Sequence, residues 1–317
     1  MTPIAPTGDP IISVIVVSDY GSAESKTWND ERRCLGALAG QDIGEPFEIL
    51  LLESSRFRTS VPQDLTLVTP QTRIVFSDAD TSYGLKNAGV LEASAPLVAI
   101  LDADCSASPD WLRHCVDVFR RHPRVSVVSG RTHYESRGLT ERVLCLLGRS
   151  YQDPGREGET QFASNNATGF RRKTYLENPL PEDLGPFSAR IQSEAIRRAG
   201  GILWFEPKMH VVHEFEGLGM EIDIRKNIGY GTVATRLAES WMPYAPLIRH
   251  GVAAIPVIYA GKLLNAWRDC LRCASYYGVR PHELPVALFS AIIVQALEIP
   301  GMLAAYRGRG VGPTAYR

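Results

Sequence analysis

Two aspartates, Asp102 and Asp104, follow directly on the apolar run Leu97–Leu101 (LVAIL). Ligands of open α/β sheets collect beyond the carboxyl ends of strands, and extended residues two apart project to the same side. The pair can therefore converge on one hard cation, Mg2+ or Mn2+, shared with substrate phosphates. A plainer role is equally open, in which both acids cap the turn before the next helix. The usual phosphate loops are absent: no GxGxxG follows the first apolar run, and there is no GxxxxGK[ST] and no GxSxG. Dinucleotide dehydrogenases, P-loop NTPases and α/β-hydrolases lose weight accordingly.

Other candidates are scattered along the chain. Lys86 and Asn87 lie near a helix start, where an ammonium and an amide suit diphosphate or ribose oxygens; the alternative is a plain exposed helix face. Asp80 can hydrogen-bond a ribose or a base, or belong to a polar turn. Glu182-Asp183 and Glu194 are the carboxylates within reach of a base role. His210 and His213, three apart in a strand, face opposite sides, so only one can address a metal. Arg225 and Lys226 can close over a diphosphate as a lid, or line an ordinary charged helix face.

The elements that must position these residues are legible in the pattern. Ile11–Val17, Phe47–Leu52, Arg73–Phe76 and Leu97–Leu101 are nearly continuous apolar runs, as expected for strands covered on both faces. Helices are expected at Thr27–Ala39, at Tyr83–Ala93 and from Ser108-Pro109-Asp110, where serine reads as an N-cap. This alternation predicts an α/β layer with a mostly parallel sheet. Further on, Val125–Ser129 reads as a strand and Leu139–Leu147 as a helix, and 150–187 as loop with one strand near Phe170. A helix at Ser188–Ala199 is closed by Gly200-Gly201. Ile202–Phe205 and Met209–His213 read as two short strands, and the chain is helical from Met220 onward.

The ordered series ISVIVV (12–17), EILLLESS (48–55), YGLKNAG (83–89), VAILDAD (98–104) and SPDWL (108–112) resembles the family 2 glycosyltransferases of the GT-A fold. The resemblance spans about 10–215 and implies a nucleotide-sugar donor, expected to be a UDP-sugar, as co-substrate. It implies a divalent metal, Mn2+ or Mg2+, on Asp102 and Asp104, with His213 matching a histidine that completes the metal site in some relatives. It also places Glu53 against the nucleobase and Lys86 and Asn87 along the nucleotide. Inverting transfer to an acceptor hydroxyl is implied, with a carboxylate as base. The Glu-Asp pair of many relatives is missing from Phe187–Glu194, so Glu194 is favoured slightly over Asp183. The loop Asn165–Gly169 matches the family's acceptor side.

Composition supports an ordinary globular protein. The 317 residues are 44% hydrophobic and 22% charged, with 34 Lys+Arg against 35 Asp+Glu, which excludes a broadly basic nucleic-acid coat. Six scattered cysteines suit reduced, buried thiols rather than a disulfide framework. The opening MTPIAPTGDP has neither a basic n-region nor an apolar h-region, so a cytoplasmic protein is expected. We expect a GT-A catalytic domain over 1–215 and a helical region over 216–317. There 251–267, interrupted by Pro256, and 284–306, carrying only Glu298 as formal charge, are strongly apolar. They predict helices lying in the interface of a membrane's cytosolic face, or burial against the catalytic domain or in a homo-oligomer. The acceptor is open among glycan, lipid-linked and small-molecule hydroxyls. Competing readings are a nucleotidyltransferase, disfavoured by the missing glycine- and lysine-rich loop, and a non-catalytic nucleotide-sugar scaffold.

Overall fold

The structure, a computed structural model, describes residues 8–18, 27–69, 71–79, 81–136 and 138–310. It contains two compact units. The first comprises Met1–His133, Arg156–Glu182 and Ser188–Glu214, and the second Tyr134–Gly155, Asp183–Phe187 and Phe215–Arg317. Two segments before residue 215 thus join the second unit, which a single cut at 215 does not provide for.

The first unit is built on a sheet. Strands β1 (Ile12–Val17), β2 (Phe47–Ser54), β3 (Thr72–Ser77) and β4 (Leu97–Asp102) form its parallel half in the order β3-β2-β1-β4. Every residue of β1 is buried, as the unbroken apolar run requires for a strand covered on both faces. β8 (Thr168–Arg171) continues the sheet antiparallel to β4, followed by β6 (Val125–Tyr134), β9 (Ile202–His213) and β5 (Cys105–Ala107). β7 (Gly158–Thr160) pairs with β9. On one face, α1 (Asn29–Ala39) and α4 (Trp111–Arg121) close a core around Trp28, Leu35, Leu101 and Trp111. On the other, α3 (Ser82–Glu92) packs over Ile15, Leu52 and Ile100. Short α2 (Leu65–Val68) precedes β3; α5 (Leu139–Arg149) belongs to the second unit, and α6 (Arg172–Glu177) and α7 (Ser188–Arg198) to the first.

Three local expectations are corrected. Ile202–His213 is one strand rather than two. Pro207 falls between the stretch paired to β7 (Leu203–Phe205) and that paired to β5 (Val211–His213), where its missing N–H costs that side no ladder bond. Ser108 does not cap α4; its hydroxyl donates to Asp110 Oδ1 and the helix begins at Trp111. The first helix starts at Asn29, after Trp28 in a left-handed conformation (φ 56°). Elsewhere the local rules hold. The Thr81 hydroxyl caps α3 by accepting from the Gly84 amide at 3.0 Å. Gly200, at φ 85°, ends α7 with the Gly201 amide bonded to Ile196 O.

The second unit is helical: α5, α8 (Leu218–Ala238), α9 (Ala245–Ile248), α10 (Ile255–Cys273), α11 (Leu284–Ala296) and α12 (Ile299–Tyr306). α10 and α11 share a core with α5 around Leu146, Cys270 and Ala291. All six cysteines are buried and unpaired as disulfides, as their apolar neighbours predict.

Candidate functional site

The chain leaves β4 at Asp102 and turns at once. The Ala103 amide donates to Val17 O at 2.9 Å, folding the segment across the end of β1, and β5 begins at Cys105. Asp102 and Asp104 are therefore separated by a turn instead of lying in extended chain, and they take different partners. That corrects the expectation that their spacing alone points both at one ion.

Asp104 faces β9. Its Oδ2 stands 3.0 Å from His213 Nε2, its carbonyl accepts from the Glu214 amide at 2.9 Å, and Cys105 opposes His213 in the strand register. Among the described residues, the ligand atoms of Asp104, Cys105 and His213 all lie within 4.8 Å of one another. Asp102 is outside this group. His213 Nδ1 is bonded to Glu214 O at 2.5 Å, which fixes the ring and turns Nε2 toward Asp104. A carboxylate and an imidazole held this way fit a divalent cation. Cys105, fully buried, donates its S–H to Asp104 Oδ1 at 3.3 Å and so orients the carboxylate.

Asp102 faces the other way. Its Oδ1 is 2.8 Å from Lys86 Nζ, with the lysine side chain 2% exposed and the aspartate 30%. Lys86 is thus buried, and its charge is turned to the Asp102 carboxylate. Asn87 is also occupied elsewhere. Its amide group donates to Leu180 O and Glu182 Oε1 and accepts from Tyr175 and from the Leu180 amide. All four bonds tie α3 to the segment 175–182.

One residue anchors the aspartate turn from both sides. Asn166, 4% exposed, accepts from the Asp102 amide at 2.9 Å and donates to Cys105 Sγ at 3.2 Å. It was legible only as part of an acceptor-side loop; the double amide Asn165-Asn166 before a strand is the signal that could have found it. Arg33, on α1, reaches Glu214 Oε2 at 2.6 Å and Asp30 at 2.9 Å, pinning the end of β9. Cys34 lies beneath: burial first, then the negative fields of Asp104, Glu31 and Asp102, push its thiol well above the ordinary range. It stays neutral and is no nucleophile.

The remaining candidates stand as follows. Glu53 is buried at the end of β2 and accepts from the Ser54 amide at 2.6 Å. Asp80 lies outside the described residues. Glu194 gives its two oxygens to Arg197 (2.8 Å) and Arg198 (2.9 Å) on its own helix. Glu182 lies against the start of α3, its Oε2 2.8 Å from where a Cβ on Gly84 would stand. Asp183 is exposed, in the second unit. Arg225, also there, is 4% exposed, bonded to Glu221 at 2.6 Å and faces Glu298 at 3.8 Å. Lys226 is half-exposed and pairs with Asp223 at 3.4 Å.

An α/β sheet whose parallel strands deliver acids to their carboxyl ends, with a carboxylate–imidazole pair beside them, defines a group-transfer enzyme of the GT-A type. Residues 29–177 match the model of Glycosyl transferase family 2, and the chain is a glycosyltransferase. A mannosyltransferase, PcManGT from Pyrobaculum calidifontis, solved with GDP-Man and Mn2+, has a similar fold: TM-score 0.61 at 17% identity, covering 96% of this chain and 90% of that one. S. aureus TarS (residues 1–349) matches at TM-score 0.46 and 14% identity, covering 94% of this chain and 90% of its own. No curated protein matches this sequence.

Proposed function

We propose that the enzyme transfers a sugar from a nucleoside diphosphate donor to an acceptor hydroxyl, with inversion. The carrying observation is the Asp104–His213 pair at the carboxyl end of β4, whose aspartate lies within the stretch that matches the family 2 model. Asp104 and His213 would hold a divalent cation, Mn2+ or Mg2+, and Asp102, the more exposed acid, faces the donor side. When bound, the cation supplies positive charge against the departing nucleoside diphosphate. The protein's own part is orientation. Asn166 and Cys105 fix the turn, Lys86 fixes Asp102, and Glu53 lies at the end of β2, where the base is received. Mn2+ beside GDP-Man in the mannosyltransferase of similar fold supports this donor class; UDP is the nucleotide expected here, and GDP its competitor.

The base must be a carboxylate able to reach an acceptor hydroxyl. Glu194 has both oxygens engaged by arginines, so we assign the role to the Glu182-Asp183 pair, both exposed, with Asp183 favoured because Glu182 accepts from Asn87. The test is nucleotide release from UDP- and GDP-sugars by the purified chain with Mn2+. Release that requires metal and is lost in Asp104→Ala supports the reading. Tight nucleotide binding without turnover of any donor would replace it with the scaffold reading.

A further inference from the structure

We infer that the outer face of the α10–α11 pair is a docking surface for an anionic lipid bilayer, on which this unit lies without crossing it. The inference is independent of the donor and of the reaction.

Among the described residues one helical stretch is long and apolar enough to span, Pro281–Tyr306, 26 residues whose most apolar 18-residue window has a mean hydropathy of 1.9. α11 ends at Ala296 and α12 begins at Ile299, with helical backbone carried through Leu297 and Glu298, and Glu298 is 1% exposed. Glu298 is ion-paired to Lys262 and faces Arg225. A buried, paired carboxylate at Glu298 anchors the stretch inside the helical unit.

Yet only 39% of its most apolar window is buried. α10 exposes Val257, Leu264 and Leu271, at intervals of seven, and α11 exposes Val286, Phe289 and Ile293, at intervals of three and four. Each set is one stripe of its helix. The two helices bond to each other, Trp267 Nε1 to Leu288 O at 2.9 Å and Tyr259 OH to Ile292 O at 3.2 Å, and both lean on α5 through a common core. The stripes therefore lie on the side of the pair turned away from α5.

Charge identifies the occupant. Between residues 245 and 310 every acid is withdrawn: Asp269, Glu283 and Glu298 have side chains 8%, 12% and 1% exposed, each paired with a cation. Arg249, Arg268, Arg280, Arg307 and Arg309 are exposed. An apolar face on a segment whose exposed formal charges are all basic matches the headgroup boundary of an anionic membrane. A second copy on the same face would bring these arginines toward one another, which disfavours a symmetric dimer.

The experiment is co-sedimentation of the full chain with vesicles of phosphatidylcholine alone and of phosphatidylcholine mixed with phosphatidylglycerol. The protein should pellet with the mixed vesicles, and release on raising salt. R268A/R280A should weaken that binding by more than tenfold at low salt, at about fivefold per exposed arginine. F289E/I293E should abolish it, with circular dichroism and thermal unfolding matching the parent. An unchanged pellet in F289E/I293E, or equal binding to neutral vesicles, would overturn the inference. So would a chain that ignores vesicles and forms a dimer broken by F289E/I293E.

Discussion

Asp102 and Lys86 form an ion pair at 2.8 Å in which the cation is the buried partner, 2% exposed, and the anion reaches solvent at 30%. The asymmetry makes one substitution far costlier than its mirror. Asp102→Ala strands an ammonium in the interior, a loss of about 3–5 kcal/mol. Lys86→Met replaces the buried charge by an apolar chain of similar length and leaves a carboxylate that water can still reach. We expect Asp102→Ala to lower Tm much more than Lys86→Met, and Lys86→Met to rescue part of the loss in the double variant. Equal Tm losses in the two single variants would contradict this. The pairing also means that lost activity in Asp102→Ala must be read beside its stability.

The metal assignment is cleaner at Asp104 and His213, whose side chains are 15% and 17% exposed and bonded to each other. Mn2+ binding only the native state should raise Tm, by about 2.7 kcal/mol of stabilisation at a hundredfold excess over Kd. His213→Ala and Asp104→Ala should abolish that shift. Asn166→Ala, which removes the clamp on the turn, should weaken Mn2+ binding by about 10–100-fold. A full Mn2+ shift in His213→Ala would remove the histidine from the site.

Acid sensitivity should report on the other histidine of β9. Burial, then the neighbouring His133 and the positive Arg131, push His210 from 6.5 down to about 4, although Asp110 pulls the other way. The native state thus favours neutral His210, which is bonded to the His133 ring. Its contribution is complete above about pH 6.5 and is lost as pH falls toward 4, up to about 3 kcal/mol. Urea unfolding between pH 7 and 4 should show this slope, and His210→Asn should flatten it. The same slope in the variant would assign it to other groups.

The base assignment separates in steady-state kinetics. Removing a general base typically costs about 10²–10⁴ in turnover. Asp183→Asn should lie in that range, whereas Glu194→Gln, which loosens only a helix-surface arginine pair, should stay within a few-fold of the parent. If Glu194→Gln alone is inactive with its fold intact, the roles are reversed.

What the sequence could show followed from locality. The parallel strands were plain because each is a continuous apolar run, and Thr81 and Gly200 followed local rules. The two aspartates misled because alternation assumes extended chain, and the turn between them is set by a hydrogen bond to Val17 O, a residue from another strand. The burial of Arg225 is illegible for the same reason. The partner that buries Arg225, beyond its helix neighbour Glu221, is Glu298, and no local pattern pairs residues so distant in sequence. Lys86 stands out in the sequence, and only the fold shows its partner, Asp102.

That distant pairing depends on two glycines. α8 and α12 approach so closely that a Cβ on Gly229 would stand 1.9 Å from Glu298 O, and one on Gly301 1.9 Å from Lys226 O. Both obstacles are backbone, so neither can rotate away, and the helices must separate. Separation would pull Glu298 from Lys262 and Arg225 and leave buried charges short of partners, at about 3–5 kcal/mol. Gly229→Ala and Gly301→Ala should therefore each destabilise the helical unit, despite alanine's better helix propensity of about 1 kcal/mol. Gly219 offers the control, since a Cβ there meets nothing within 4 Å and the residue lies in the first turn of α8. Gly219→Ala should be neutral or slightly stabilising by thermal unfolding. If all three variants melt alike, the close approach of α8 and α12 does not set the stability of this unit.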